Sequence, residues 1–206
     1  MTFKKKFIVG KKLGMTQIVA ESGEIIPVTV VRAYDNYIYR HKTIEKDGYS
    51  SVVVAYDSVN KNRINKPHLG QFSGDLYFKH FKEFRVESPL SFELQSVIDP
   101  SIFVCNRRYD VQSKTIGRGF TGAIKAWNHQ RGPMSHGSKN HRLLGSIGQA
   151  TTPGRVKKGK KMHTRYGNET VTAKNLELMK IDGQHLFFKG AIPGKMGTVF
   201  VTGVDE

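Results

Sequence analysis

Residues 111–168 contain no aspartate or glutamate, yet they hold 12 Lys and Arg, four His (His129, His136, His141, His163) and ten Gly. That run constrains the chain more than any other feature. Its cations repel one another, and fixing a glycine-rich backbone costs roughly 1–2 kcal/mol per residue. Its apolar residues are too sparse and irregular to offset that cost by burial. A core must therefore come from elsewhere in the chain, and the charge must be met by an anion from outside it.

The core is to be found on either side. Of 33 Lys and Arg and 17 Asp and Glu in the 206 residues, 21 basic and all 17 acidic groups lie outside the run. This remainder is nearly balanced and reads as strands. MTQIVA (15–20), IIPVTVVRA (25–33) and SSVVVAYD (50–57) join branched residues to partial alternation, with turn signals at Ser22-Gly23 and Asp47-Gly48. Ser96–Val104 is a further candidate. LELMKID (176–182) and HLFFKG (185–190) flank Gly183-Gln184 as a hairpin, and GTVFVTGV (197–204) closes the series. Of Phe187 and Phe188, alternation makes one core and one surface. Six or more short strands without a long amphipathic helix predict a mainly β protein, a small antiparallel barrel or a sandwich. Residues 1–110 and 169–206 would complete one core together, with 58–95 as a looped excursion carrying short helical turns.

Composition narrows the function. A single cysteine, Cys105, excludes an internal disulfide framework and a cysteine-based zinc site, and fits a reducing compartment. No run approaches the ~18 apolar residues of a membrane span. The start, MTFKKKFIVGKKLGMTQIV, lacks the apolar stretch and small-residue cleavage site of a signal peptide. A formal net charge of +16 makes a polyanion the expected partner, nucleic acid ahead of an anionic membrane.

Several motifs in the cationic run resemble catalytic or cofactor signatures and lack what those need. Gly117-Arg118-Gly119-Phe120-Thr121-Gly122 fits the dinucleotide fingerprint. However, NRRYDVQSKTI before it reads as a poor buried strand, and no acid follows until Glu169. These glycines instead read as places where one backbone approaches another. Gly154 to Lys161 nearly fits the P-loop, but Lys161 replaces the magnesium-binding hydroxyl and no apolar helix follows. Five cations within seven residues suit a row of phosphates better than one nucleotide. His136 and His141 lack a cysteine or carboxylate in the run to complete a metal shell, so no metal is expected. No local acid orients a histidine base for serine chemistry, and Asp99, Asp110 and Glu169 read as ordinary barrel charges. FTGAIKAW (120–127) reads as two helical turns with Phe120, Ile124 and Trp127 on one face, and SHGSKNHRL (135–143) as another turn. Trp127 is assigned to packing on Phe120 and Ile124 ahead of stacking on a base; Tyr166 is a stacking candidate.

Phosphates can supply what burial cannot, because each one neutralised releases counterions. Glycines allow the chain to thread between RNA helices, and no recognition helix or zinc finger points to duplex DNA. On residues alone, the expectation is a structured-RNA binder: a β body with a basic, mostly irregular extension. A disordered basic linker and a free-standing RNA chaperone are the competing readings.

GKKLGMTQI (10–18), PVTV (27–30), DGY (47–49), KP (66–67), GRGFTGAIKAWN (117–128), SHGSKNHR (135–142), GSIGQATTPGRVKKGKKM (145–162), GNETVT (167–172) and KGAIPGKMG (189–197) follow in the order of a known family. The chain resembles the bacterial-type ribosomal protein L three family of the large subunit over nearly its whole length. The resemblance implies a closed β-barrel of the translation-protein kind and an extension (111–168) through ribosomal RNA toward the peptidyl-transferase centre. It also implies early subunit assembly, proteins L fourteen and L nineteen as neighbours, no catalysis, no cofactor or small-molecule substrate, and a place in cytoplasmic or organellar ribosomes. By motif match the tip is Gln149, Ala150, Thr151 and Thr152. Arg155, Lys157, Lys158, Lys160 and Lys161 would line RNA, with Lys125, Arg131 and Arg142 on the other arm. Lys114, Arg118, His136, Lys139, His141 and Arg165 complete the expected RNA-contact set. The chain departs from the family at Thr151, where many relatives carry a modified glutamine, and at Ala126 and Met162-His163-Thr164, where an arginine and an Ala-Gly turn are usual. MTFKKKF is longer than the usual leader and reads equally as an RNA-facing arm or a frayed terminus.

Overall fold

The computed structural model describes residues 5–72 and 76–204. The expectation for the MTFKKKF leader lies outside them up to Lys4; from Lys5 onward the chain is already a strand. In order the strands are β1 (Lys5–Val19), β2 (Ile25–Ala33), β3 (Asn36–Lys42), β4 (Ser51–Ser58), β5 (Phe78–Arg85) and β6 (Val97–Ile98). β7 (Arg108–Lys114), β8 (Phe120–Thr121), β9 (Thr164–Arg165), β10 (Thr170–Asp182), β11 (His185–Lys189) and β12 (Thr198–Val204) follow. Among the described residues, helix is limited to α1 (Ile44–Asp47), α2 (Lys66–Leu69), α3 (Ala123–Trp127) and short 3-10 turns. The chain forms two compact units: one runs to Lys114 and resumes at Thr170, and the other spans Thr115–Glu169.

The first unit contains a closed antiparallel barrel in the order β1-β12-β7-β10-β11-β2. Closure leaves no unpaired strand edge. Inward residues alternate along each strand, as the period of two requires. Tyr109, Val111 and Ser113 face in from β7, Leu186 and Phe188 from β11, and Val199 and Val201 from β12. With Ile8, Val31 and Leu178, all of these except the polar Ser113 form one core drawn from both ends of the sequence. Each full burial contributes about 1.5–3 kcal/mol. At Gly10 the strands close so tightly that a Cβ would lie 2.6 Å from Val31 Cγ1 and 2.8 Å from the Arg32 carbonyl oxygen. Only glycine fits there without displacing backbone.

A second sheet, ordered β5-β4-β3-β6, lies in the same unit. It corrects the expectation that 58–95 is only a looped excursion: β5 pairs with β4 from Ser51↔Arg85 to Ser58↔Phe78. In FKHFKEFR the aromatics recur every three residues, which hides a strand. Phe78 and Phe84 are buried, while Phe81 packs with Tyr39, His68 and Phe72 at ring distances of 5.0, 5.2 and 5.5 Å. β1 serves both cores. Ile8 enters the barrel, whereas Phe7 and Val9 enter a second cluster with Ile38, Val52, Val54 and Phe84. Phe7 stacks on Phe84 at 4.4 Å.

NRRYDVQSKTI also needs correction, since most of it is barrel strand β7; Asp110 and Gln112 fill its outward positions and dilute its apolar signal. Ser96–Val104 yields only the two-residue β6, after which Asp99 accepts a 3.4 Å bond from Ser101 N–H and opens a 3-10 turn. The expected hairpin is present as β10–β11, with Asp182↔His185 beside the turn. Phe188 is buried there and Phe187 only half-buried.

Beside the barrel, residues 190–197 are held from below by a buried lysine. Lys12 is 7% exposed, and its Nζ donates to the carbonyls of Ile192 at 2.6 Å and Gly194 at 2.8 Å. Ser113 Oγ donates to the Pro193 carbonyl at 2.9 Å. Burial of Lys12 holds its ammonium pKa below the usual lysine range.

Candidate nucleic-acid interface

Residues 115–169 are organised by backbone pairing rather than by a core. At their base Thr115 N–H donates to the Glu169 carbonyl at 2.9 Å, and Glu169 N–H returns a 3.1 Å bond to Thr115 Oγ1. Arg118 N–H bonds the Tyr166 carbonyl and Tyr166 N–H bonds that of Gly119, at 2.8 and 3.0 Å. The two-strand ladder β8–β9 continues this pairing through Phe120↔Arg165 and Thr121↔Thr164. The rungs bring the two ends of the cationic run side by side. Gly167 packs its α-carbon against the backbone of Ile116, and Gly132 packs against the Asn140 carbonyl. Of the GRGFTG glycines, Gly117 meets the backbone at Gly167, where an added Cβ would lie 3.3 Å from the Gly117 α-carbon, and Gly119 accepts the bond from Tyr166 N–H, as expected.

α3 is five residues long and ends at Asn128, whose φ of 57° is left-handed. The expected two-turn helix is therefore shortened, because Phe120 belongs to β8. Phe120 is 75% exposed and stacks on the His163 ring at 6.3 Å. Trp127 Nε1–H donates to the Met162 carbonyl at 2.8 Å, and Lys161 Nζ lies 5.8 Å from the indole centroid. The indole thus joins the two sides of the ladder instead of forming an apolar face with Phe120. SHGSKNHRL forms the expected turn, with Ser138 N–H donating to the Ser135 carbonyl at 3.4 Å. Gly132 N–H bonds the His141 carbonyl at 2.9 Å, and His141 Nδ1–H donates to the Pro133 carbonyl at 2.9 Å. His136 and Gly137 turn the loop with φ of 57° and 72°.

Burial decides what this unit can do. Ala123 is its one buried residue. Arg118, Lys125, Arg131, His136, Lys139, Arg142, Arg155, Lys157, Lys158, Lys160, Lys161 and Arg165 are all exposed, as are Gln149, Ala150, Thr151 and Thr152. His141 is half-buried and spent on closing its loop, while Lys114 ends β7 in the barrel unit. Glu169 is the single carboxylate of 115–169, and none of the described ion pairs involves the unit's cations. Polar, extended and cationic, the surface suits phosphate oxygens. Neither glycine motif sits at the start of a helix long enough to cradle a nucleotide: GRGFTG leads into α3, and the stretch Gly154–Lys161 is irregular. Among the described residues no group of His, Cys, Asp or Glu could hold a metal ion.

The family model described as "Ribosomal protein L3" matches residues 88–195, over half of the chain. The large ribosomal subunit protein uL3 of Prochlorococcus marinus (strain MIT 9312) is 44% identical over 196 residues, covering 93% of this chain and 90% of the relative. The chain belongs to the ribosomal protein L3 family. The uL3 proteins of Picosynechococcus sp. (strain ATCC 27264 / PCC 7002 / PR-6) and Synechococcus elongatus (strain ATCC 33912 / PCC 7942 / FACHB-805) are 46% and 45% identical. Each match covers 93% of this chain and 92% of the relative. All of unit 115–169 lies within the L3 match. Sequence reading found its cations through their number. It missed the exposed Phe120–His163 pair and the Lys12 and Ser113 supports, since an aromatic beside α3 and a lysine in a strand look ordinary in a linear sequence.

Proposed function

We propose that this L3-family protein is a structural constituent of the large ribosomal subunit. It binds large-subunit ribosomal RNA directly through residues 115–169, promotes early subunit assembly and catalyses no reaction itself. The observation that carries this reading is the pairing of eleven exposed Lys and Arg with one buried residue in that unit. Such a unit gains more from neutralisation by phosphates than from its own packing. Arg155, Lys157, Lys158, Lys160 and Lys161 contact phosphate on one side, with Lys125, Arg131 and Arg142 on the other. Gln149, Ala150, Thr151 and Thr152 form the tip that supports the peptidyl-transferase centre. The exposed ring of Phe120 adds a face on which a base can stack. Proteins L fourteen and L nineteen are its neighbours, and its place is the cytoplasmic ribosome.

Sedimentation of cell extract on a sucrose gradient tests this. The chain travels with the large subunit and stays there after washing at moderate salt. Finding most of it at the top of the gradient, bound to assorted RNA, would replace this function with that of a free-standing RNA chaperone.

A further inference from the structure

A groove of about 510 Å³ in the barrel-containing unit has the opposite character to residues 115–169. Ile44 of α1, together with Pro89 and Leu90 of the 3-10 turn Pro89–Ser91, forms its apolar wall. Ile44 is 70% and Leu90 77% exposed. The charged side chains lining it are Glu45 and Glu87, with serine and threonine completing the rim. In a chain of net charge +16, a groove lined by carboxylates and no cation is the feature least suited to RNA. We propose that this groove docks a segment of another protein, an apolar side chain flanked by lysine or arginine.

The chemistry excludes the other occupants. Phosphates would meet Glu45 and Glu87 and be repelled. A second copy joined symmetrically through this patch would bring the same carboxylates against themselves. A basic segment instead satisfies both parts of the surface. Its apolar residue covers Ile44 and Leu90, and its cations lie on the carboxylate rim, where they set register and speed encounter. Two exposed branched side chains beside a turn supply the anchor that such a contact needs.

The test places a photo-reactive phenylalanine analogue at Leu90 of the full chain in its own cells, with irradiation followed by peptide mapping. The expected product joins position 90 to another protein, within about three residues of a lysine or arginine. Glu45→Lys combined with Glu87→Lys lowers its yield at least about tenfold, whereas Glu24→Lys, between β1 and β2 and outside the groove lining, leaves it unchanged. A product with RNA, with a second copy, with the chain itself or with an uncharged or acidic segment overturns the proposal, as does the absence of any product. The gradient position of the same photo-probe chain reads large-subunit incorporation separately, so failure of the groove and failure of the ribosomal function are distinguished.

Discussion

Asn36 and Val9 exchange two hydrogen bonds: Val9 N–H donates to Asn36 Oδ1 at 2.7 Å, and Asn36 Nδ2 donates to the Val9 carbonyl at 3.0 Å. Asn36 opens β3 of the second sheet, and Val9 lies in barrel strand β1. The asparagine is fully buried, and its amide also bonds the Tyr34 carbonyl at 2.6 Å. It thereby satisfies backbone groups that no strand pairs at this junction. Asn36→Ala leaves Val9 N–H buried without its partner, at roughly 1–3 kcal/mol, while the Val9 carbonyl keeps the 3.0 Å bond from Tyr34 N–H. Urea unfolding of the variant is expected to show a loss of about 1–3 kcal/mol with an unchanged slope.

Lys12 is the second buried polar support. Its cation is stabilised by the carbonyls of Ile192 and Gly194 and opposed by desolvation, so its folded pKa lies below its unfolded one. The unfolded chain then binds more protons in the alkaline range, and folding stability attributable to this group rises as pH climbs through that range. Lys12→Met removes the charge but leaves both carbonyls without their donor. It is expected to destabilise by about 1–3 kcal/mol and to abolish that alkaline rise, both readable from thermal unfolding at pH 7 and pH 10.

The Lys42–Glu83–Tyr49 triangle has the opposite sign. Lys42 Nζ lies 2.7 Å from Glu83 Oε1 and from Tyr49 Oη, and Tyr49 Oη donates to Glu83 Oε2 at 2.7 Å. The hydrogen bond from Lys42, then that from Tyr49, holds the Glu83 carboxyl below its ordinary range, with Arg40 adding a smaller attraction. The stabilisation is present above the unfolded carboxylate pKa and lost as pH falls through the folded one. Glu83→Gln should therefore unfold at lower temperature than the parent at pH 7, with the two curves converging in acid.

Much of the barrel was legible because its strands alternate. β2 could be read to its ends from IIPVTVVRA, where partial alternation buries Ile26, Val28, Val31 and Ala33 and breaks only at Val28-Thr29. The turn Gly183-Gln184 marked the β10–β11 hairpin for the same reason. β5 and β7 were hidden by different physics. Phe78, Phe81 and Phe84 mimic a helical period because both faces of that strand are packed, and Asp110 and Gln112 dilute the apolar signal of a strand with one wet face. The cationic unit was legible as charge but not as shape. Its pairing rests on backbone bonds such as Arg118 to Tyr166, which carry no side-chain pattern. The second apolar cluster leaves no pattern within one strand, because Phe7 and Val9 face away from Ile8 toward residues of β3, β4 and β5.

Lys157 and Lys158 are exposed cations of the unit proposed to bind RNA. If each meets a phosphate, Lys157→Ala and Lys158→Ala weaken binding to large-subunit RNA and flatten its dependence on log salt. The change should be about 0.7–0.9 of a unit per contact removed. An unchanged slope would show that these side chains do not touch phosphate.

On the function proposed, residues 115–169 take their stability from a polyanion and the barrel from its own core. Amide hydrogen exchange measured on the free chain and on purified large subunits tests this most directly. In the free chain, amides of Ile8, Val31, Val111 and Val201 should be strongly protected, while those of residues 142–163 exchange at rates near those of an unstructured peptide. In the subunit the latter should become protected by at least a hundredfold. Equal protection of residues 142–163 in the free chain, in buffer without any polyanion, would show instead that the unit is stable by itself.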